Sequence, residues 1–175
     1  MKRKKLKSFE KWQTYEVDDF FGLNQLDNLP TLDQWLQCKE EINPEEKRIL
    51  NKLQKFLLEN VSFLNEEDLK GYFITPILNL IEFYKPKIYK GFYTANFVFY
   101  PNETEQIGGK VDYMVAQGKQ IPKKPFFFLH EYKKERDTDA DPLGQLLVSM
   151  LGAQFQNKDN CPFMACIFWA EIGFL

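Results

Sequence analysis

Histidine is nearly absent from this sequence, and cysteine is scarce. One histidine, His130, and three cysteines, Cys38, Cys161 and Cys166, are spread over 175 residues. They form no Cys-x-x-Cys pair and no Cys/His cluster, which argues against a zinc site. A Ser-His-Asp or Cys-His centre would have to be built on His130. An odd cysteine count without framework spacing fits reduced thiols and a cytoplasmic setting. No apolar run approaches the length of a membrane span. The N-terminus, MKRKKLKSFEKW, is basic but no apolar segment follows, so it does not read as a secretory signal. A large charge of one sign is missing as well. The net charge of −2 offers no global attraction to nucleic acid or to an anionic membrane, so polyanion binding would rest on local patches. Internal repeats and low-complexity linkers are absent.

What is present is a globular composition. Hydrophobic residues make up 44% of the chain and aromatics 16%, 17 of them Phe, enough for one domain with a real core. Residues 1 to about 30 read as a loosely packed arm with one short helix, and the basic run from Lys2 to Lys7 reads as a solvated terminus. Thr31 is placed to cap a short helix through Cys38. Asn43, Pro44, Glu45 and Glu46 supply a cap, a first-position proline and first-turn acids for a helix to about Asn60. Asn65 with Asp68 resembles a capping box and opens a third helix, whose stripe runs from Leu69 through Phe73, Ile74, Ile77 and Leu78 to Ile81. Pro76 inside that stripe predicts a kink.

From about Lys87 the period becomes that of a strand, with Gly91 as an expected bulge or bend. A polar turn from Pro101 to Gly109 leads to a second strand from Lys110 to Ala116. Asp112 is expected near its start, with Met114 and Ala116 on the same face. The third strand is PFFFLHEYKKE, from Pro125 to Glu135. Its apolar beginning is typical of a strand buried on both faces. Side chains alternate along a strand, so Glu131 and Lys133 share a face, and His130 takes the other with Phe128 and Tyr132. A carboxylate and an ammonium at the end of a buried strand are costly unless satisfied or used. Asp139 or Asp141 caps the next helix at Pro142, where Gly144, Ser149 and Gly152 permit close approach to the sheet. A fourth apolar strand runs from Phe163 to Ala170. The apolar end at Leu175 reads as a truncation, because termini are normally polar.

The core order is helix, strand, strand, strand, helix, strand. With GGKVDYMVA, FFFLHEYKKE and the helix segment Asn65 to Lys70, this order resembles the PD-(D/E)XK nuclease superfamily and its restriction-endonuclease-like αβββαβ fold. The resemblance covers residues 62 to 170 and leaves 1 to 60 as a helical N-terminal extension. It implies a Mg²⁺ site, with Mn²⁺ as a substitute, held by Asp112 and Glu131 and completed by Glu66. It implies that Lys133 positions water or stabilises charge, and that Gln145 supports the site from its helix. The departures are Val111 in place of proline before the acid, and the early end of the chain.

The expected activity is phosphodiester hydrolysis, of DNA before RNA, in defence, restriction or repair. The rival reading is a degenerate nuclease fold kept as a nucleic-acid-binding or protein-interaction module, with the N-terminal helices as partner surface. A third is a plain α+β domain whose acids are caps and surface pairs. Homodimerisation stays open. Lys119, Lys123, Lys124, Lys134 and Arg136 form a strip able to track phosphates, or an unremarkable solvated surface.

Overall fold

The computed structural model describes residues 3–123, 125–133, 141–158 and 164–169; the side chains at 125–130, 133, 164, 166, 168 and 169 lie outside the description. The chain forms a mixed α/β structure. A short strand β1 (Lys4–Lys5) and a 3₁₀ turn (Phe9–Lys11) precede helices α1 (Thr14–Phe21), α2 (Pro30–Gln37) and α3 (Pro44–Asn60). Helix α4 (Glu66–Leu69) passes through a π turn (Lys70–Ile74) into α5 (Thr75–Leu80). Strands β2 (Tyr84–Lys85), β3 (Tyr89–Phe99), β4 (Glu105–Ala116) and β5 (Pro125–Lys133) follow, then helix α6 (Pro142–Asn157) and strand β6 (Met164–Trp169). The sheet order is β2-β3-β4-β5-β6, with β1 pairing β4. β3, β4 and β5 run antiparallel in turn; β6 returns parallel to β5 across α6.

Local chemistry accounts for most of these boundaries. Asn43 accepts from the Glu46 N–H at 2.9 Å while Glu46 accepts from the Asn43 N–H at 2.9 Å, so two orphan donors of α3 are met at once. Asn65 and Asp68 repeat the device at the start of α4. The expected kink at Pro76 takes the form of the π turn before it. Proline has no N–H, and its ring crowds the carbonyl four residues back, so the preceding turn widens and the Thr75 N–H reaches the Lys70 carbonyl instead. Thr31 caps nothing: α2 starts at Pro30 with Leu29 at its N-cap and stops at Gln37.

Two apolar clusters lie on opposite sides of the sheet. One joins Phe9, Trp12 and Val17 to Phe92, Phe97, Phe99, Ile107, Val111 and Met114, and to Leu146 and Val148 of α6. The other joins Leu64, Leu69, Phe73, Ile74 and Leu78 to Tyr113, Val115 and Tyr132. The N-terminal residues are therefore not a loose arm. Phe9 and Val17 are fully buried. Asp141, the N-cap of α6, accepts from the Gly144 N–H at 3.0 Å and, through its other oxygen, from the Thr14 N–H at 2.6 Å and hydroxyl at 2.7 Å. One carboxylate thus pins α1 to α6. Gly144 faces the backbone at Trp12 and Gln13 rather than the sheet, whereas a Cβ at Gly152 would sit 2.5 Å from the Phe99 ring.

The β3–β4 hairpin is longer than its sequence pattern implies, since β4 begins at Glu105. Asp112 is therefore well inside a strand rather than near its start. Gly91 stays in the regular ladder; the irregularity falls at Thr94. The ladder passes from Tyr93↔Tyr113 to Ala95↔Val111, skipping Thr94 and Asp112, and Thr94 has φ 51°. Side-chain alternation breaks there. Val111 and Met114 both belong to the α6-side cluster, while Tyr113 between them belongs to the other. The expected shared face of Asp112 with Met114 and Ala116 does not hold as a simple parity, because the strand changes face at Asp112.

Candidate functional site

The sheet forks at Asp112. β4 and β5 pair from Val115↔Phe128 to Tyr113↔His130 and then part, while β5 continues its pairing with β6 to Lys133↔Trp169. One step into the fork, Asp112 on β4 stands across from Glu131 and Tyr132 on β5. The Asp112 carboxylate takes over where the ladder stops: its Oδ2 accepts the Tyr132 backbone N–H at 2.9 Å. A side chain thus satisfies a buried donor that the sheet no longer serves.

Glu131 is 1% exposed, a carboxylate sealed between sheet and helix. The Gln145 side-chain amide, one turn into α6, donates to its Oε2 at 2.9 Å. Burying a carboxylate this deeply is expensive unless partners hold it, and Gln145 is one of them. The other oxygen of Asp112 accepts from Lys70 Nζ at 3.1 Å. That same ammonium donates to Glu66 at 2.7 Å and to Glu67 at 3.1 Å. Three carboxylates therefore meet one lysine, two from the start of α4 and one from the fork.

The electrostatics follow from this arrangement. Burial works against the charged form of Lys70, but Glu66, Asp112 and Glu67 outweigh it and raise its pKa, so the ammonium stays charged. Lys70 also lies 5.8 Å over the Tyr132 ring. The Tyr132 hydroxyl is held protonated, first by burial and then by the nearby Asp112 charge. Tyr113 is pushed up to about 12, again mainly by burial.

The residues singled out in the sequence are distributed as follows. Asp112 and Glu131 occupy facing positions where β4 and β5 part; Gln145 bonds Glu131, and Glu66 reaches Asp112 through Lys70. Lys133 is in β5 two residues beyond Glu131, and its side chain lies outside the described residues, as does that of His130. Lys124, Lys134 and Arg136 of the basic strip also lie outside them. Lys70 was missed in the sequence. The available signal was its spacing, three and four residues after Glu67 and Glu66, which by itself describes an ordinary helix-surface pair.

Among the described residues no group of three or more His, Cys, Asp or Glu is arranged to hold a metal ion. The acids that approach one another are bridged by the Lys70 ammonium instead. The donor set still suits a hard cation, because it consists of carboxylate oxygens already gathered about a positive charge. Among the described residues no helix is long and apolar enough to cross a membrane. Compared with protein-family models, curated proteins and solved structures, the chain matches none.

Proposed function

We propose that the chain is a Mg²⁺-dependent nuclease of the PD-(D/E)XK type, with a restriction-endonuclease-like core, hydrolysing phosphodiester bonds of DNA in preference to RNA. The observation that carries this reading is the fork. Two carboxylates, Asp112 and Glu131, come from adjacent strands where the strands part, and each is held by a dedicated donor, Tyr132 N–H or Gln145. A carboxylate as buried as Glu131 needs a use or a full set of partners, and perturbed charges of this kind gather at functional sites. The strained Thr94 opposite the fork adds to this, since such backbone clusters at functional positions.

In this reading Asp112 and Glu131 hold the cation and Glu66 completes its shell. A cation held there would supply polarisation of the phosphate and a more acidic water. Gln145 keeps the Glu131 carboxylate in one orientation. Tyr132 N–H does the same for Asp112. Lys133 carries the role that the family resemblance assigns it, positioning water or stabilising charge on the phosphate.

A second reading is a nuclease fold without activity, acting as a binding or assembly module. Two observations favour it. Lys70 already pairs with Glu66 and Asp112, two of the acids the metal would need. Helix α2 leaves Leu32, Trp35 and Leu36 exposed, as a partner surface would.

The deciding experiment is titration of Mg²⁺ and Mn²⁺ by calorimetry, with plasmid nicking on the same samples, for wild type, Asp112→Ala and Glu131→Ala. Metal binding and nicking by wild type alone, with both variants folded, is the expected result. A folded wild type that binds no metal even with DNA present would remove the catalytic reading and leave the second.

A further inference from the structure

We infer that Lys70 is the internal counter-cation of the fork: it holds Glu66 and Asp112 together before a divalent ion arrives and must leave their oxygens when one binds. This deepens the metal-dependent reading above and rests on it.

The contrast with the other helix pairs carries the argument. Arg48–Glu45 and Lys55–Glu59 are pairs of solvated side chains, with side-chain exposures of 67% and 63%, and 77% and 59%. Lys70 is only 19% exposed, and its third partner, Asp112, comes from the sheet, 42 residues away. A pair that merely decorates a helix has no reason to turn its ammonium into the sheet.

The backbone places it there. Lys70 opens the π turn, and its carbonyl accepts from Thr75 N–H, five residues on. A π turn rotates the following residues relative to a regular helix and is frequent at functional sites. The N–H of Lys70 bonds back to the Glu66 and Glu67 carbonyls, so it keeps helical register with those acids while its ammonium reaches Asp112 at the turn's entrance.

The distances require exchange rather than sharing. Nζ lies 2.7 Å from a Glu66 oxygen and 3.1 Å from an Asp112 oxygen. Mg²⁺ bound to the same oxygens would sit about 2.0–2.1 Å from each. An ammonium and a dication cannot occupy one such position, and their repulsion opposes any compromise. The four-carbon stem of lysine allows the head to swing out without moving the helix. Before it does, the acids are kept from repelling one another.

The test is Mn²⁺ titration of the full chain by calorimetry, comparing wild type with Lys70→Met, Lys70→Gln and Lys70→Arg, alongside thermal unfolding in EDTA. The neutral variants should bind Mn²⁺ at least about tenfold more tightly than wild type, within the usual range of coupling between neighbouring sites. They should melt at lower temperature in EDTA and regain more than wild type on adding Mn²⁺. Lys70→Arg should keep weak, wild-type-like binding. Lys70→Gln serves if Lys70→Met does not fold. Unchanged or weaker Mn²⁺ affinity in the neutral variants, with wild type binding the ion, would overturn the exchange and leave the metal site standing. Absence of Mn²⁺ binding by every chain, Lys70 variants included, would overturn the metal reading and the exchange with it.

Discussion

Asp112 has two jobs that substitution can separate. Its carboxylate accepts the Tyr132 N–H at 2.9 Å and the Lys70 ammonium at 3.1 Å, so donors face it from two sides. Asp112→Asn offers a single oxygen to these two donors. Whichever donor it keeps, its amide group faces the other, and one hydrogen bond is lost, costing about 1 kcal/mol of stability. Asp112→Ala loses both. The Tyr132 N–H, on a residue 1% exposed, is then buried without an acceptor. Adding that desolvation cost to the lost charge-assisted bond gives about 2–4 kcal/mol. Glu66 and Glu67 still hold Lys70, which keeps the loss at the lower end. Urea unfolding at neutral pH, followed by far-UV circular dichroism with slopes compared to confirm two-state behaviour, measures both variants. Metal-dependent nicking should vanish in both, even though Asp112→Asn is nearly as stable as wild type. Equal stability of Asp112→Ala and wild type would refute the account of the fork. Full nicking by Asp112→Asn would refute the assignment of Asp112 as a metal ligand.

The other predictions probe separate parts of the molecule. Phe9→Ala should cost about 3–5 kcal/mol in urea unfolding, as core truncations do, because the side chain is fully buried against Phe97 and Phe99 of β3; a loss under about 1 kcal/mol would restore the loose arm. Gln145→Leu should reduce nicking and weaken Mn²⁺ binding by leaving Glu131 short of a donor, with a stability loss of about 1–3 kcal/mol; unaltered nicking would remove Gln145 from the site. For Asp141, burial opposes ionisation, but the Gly144 and Thr14 N–H groups outweigh it and hold its pKa below the usual value. A depressed folded pKa means that its contribution is complete above the unfolded value of about 3.9 and is lost as pH falls through the folded one. The stability gap between wild type and Asp141→Asn should therefore be constant above about pH 5 and close below about pH 4; a gap that widens on acidification would show that the sign is wrong.

Much of the fold was legible because it rests on local chemistry. The caps at Asn43, Asn65 and Asp141 name their own helices, since each side chain bonds an N–H three residues ahead. The strand order was legible from the change of period near Lys87 and from the apolar run before Glu131. The burial of the N-terminal segment was not, because Phe9, Trp12 and Val17 are too widely spaced to make a helical stripe. They become core only when β3 and α6 are present to receive them. The length of β4 was hidden for a related reason. Gly108 and Gly109 read as the end of a turn, yet both are paired in the ladder with Val98 and Phe97.

The site divides in the same way. Asp112, Glu131 and Gln145 were visible as residue types in an expected order; the fold sets Asp112 and Glu131 on facing strands and joins Gln145 to Glu131. Parity alone placed Asp112 with Met114, and parity fails at that residue. Thr94, on the neighbouring strand, takes a left-handed conformation that nothing in its own sequence context demands, and both strands change face around it. The information sits in the pairing of two segments rather than in either one. Lys70 illustrates the same limit from the helix side. As the fourth residue after Glu66 it is indistinguishable from Lys55 before Glu59, a fully solvated pair. What separates the two pairs is their surroundings, since Lys70 stands at the start of the π turn within reach of Asp112. Substituting Pro76 by Ala should therefore restore an α-helical turn and loosen the Lys70–Asp112 contact. Its signature would be tighter Mn²⁺ binding in the direction of the neutral Lys70 variants, with every acid left in place. Mn²⁺ affinity identical to wild type would show that the lysine finds Asp112 without the π turn.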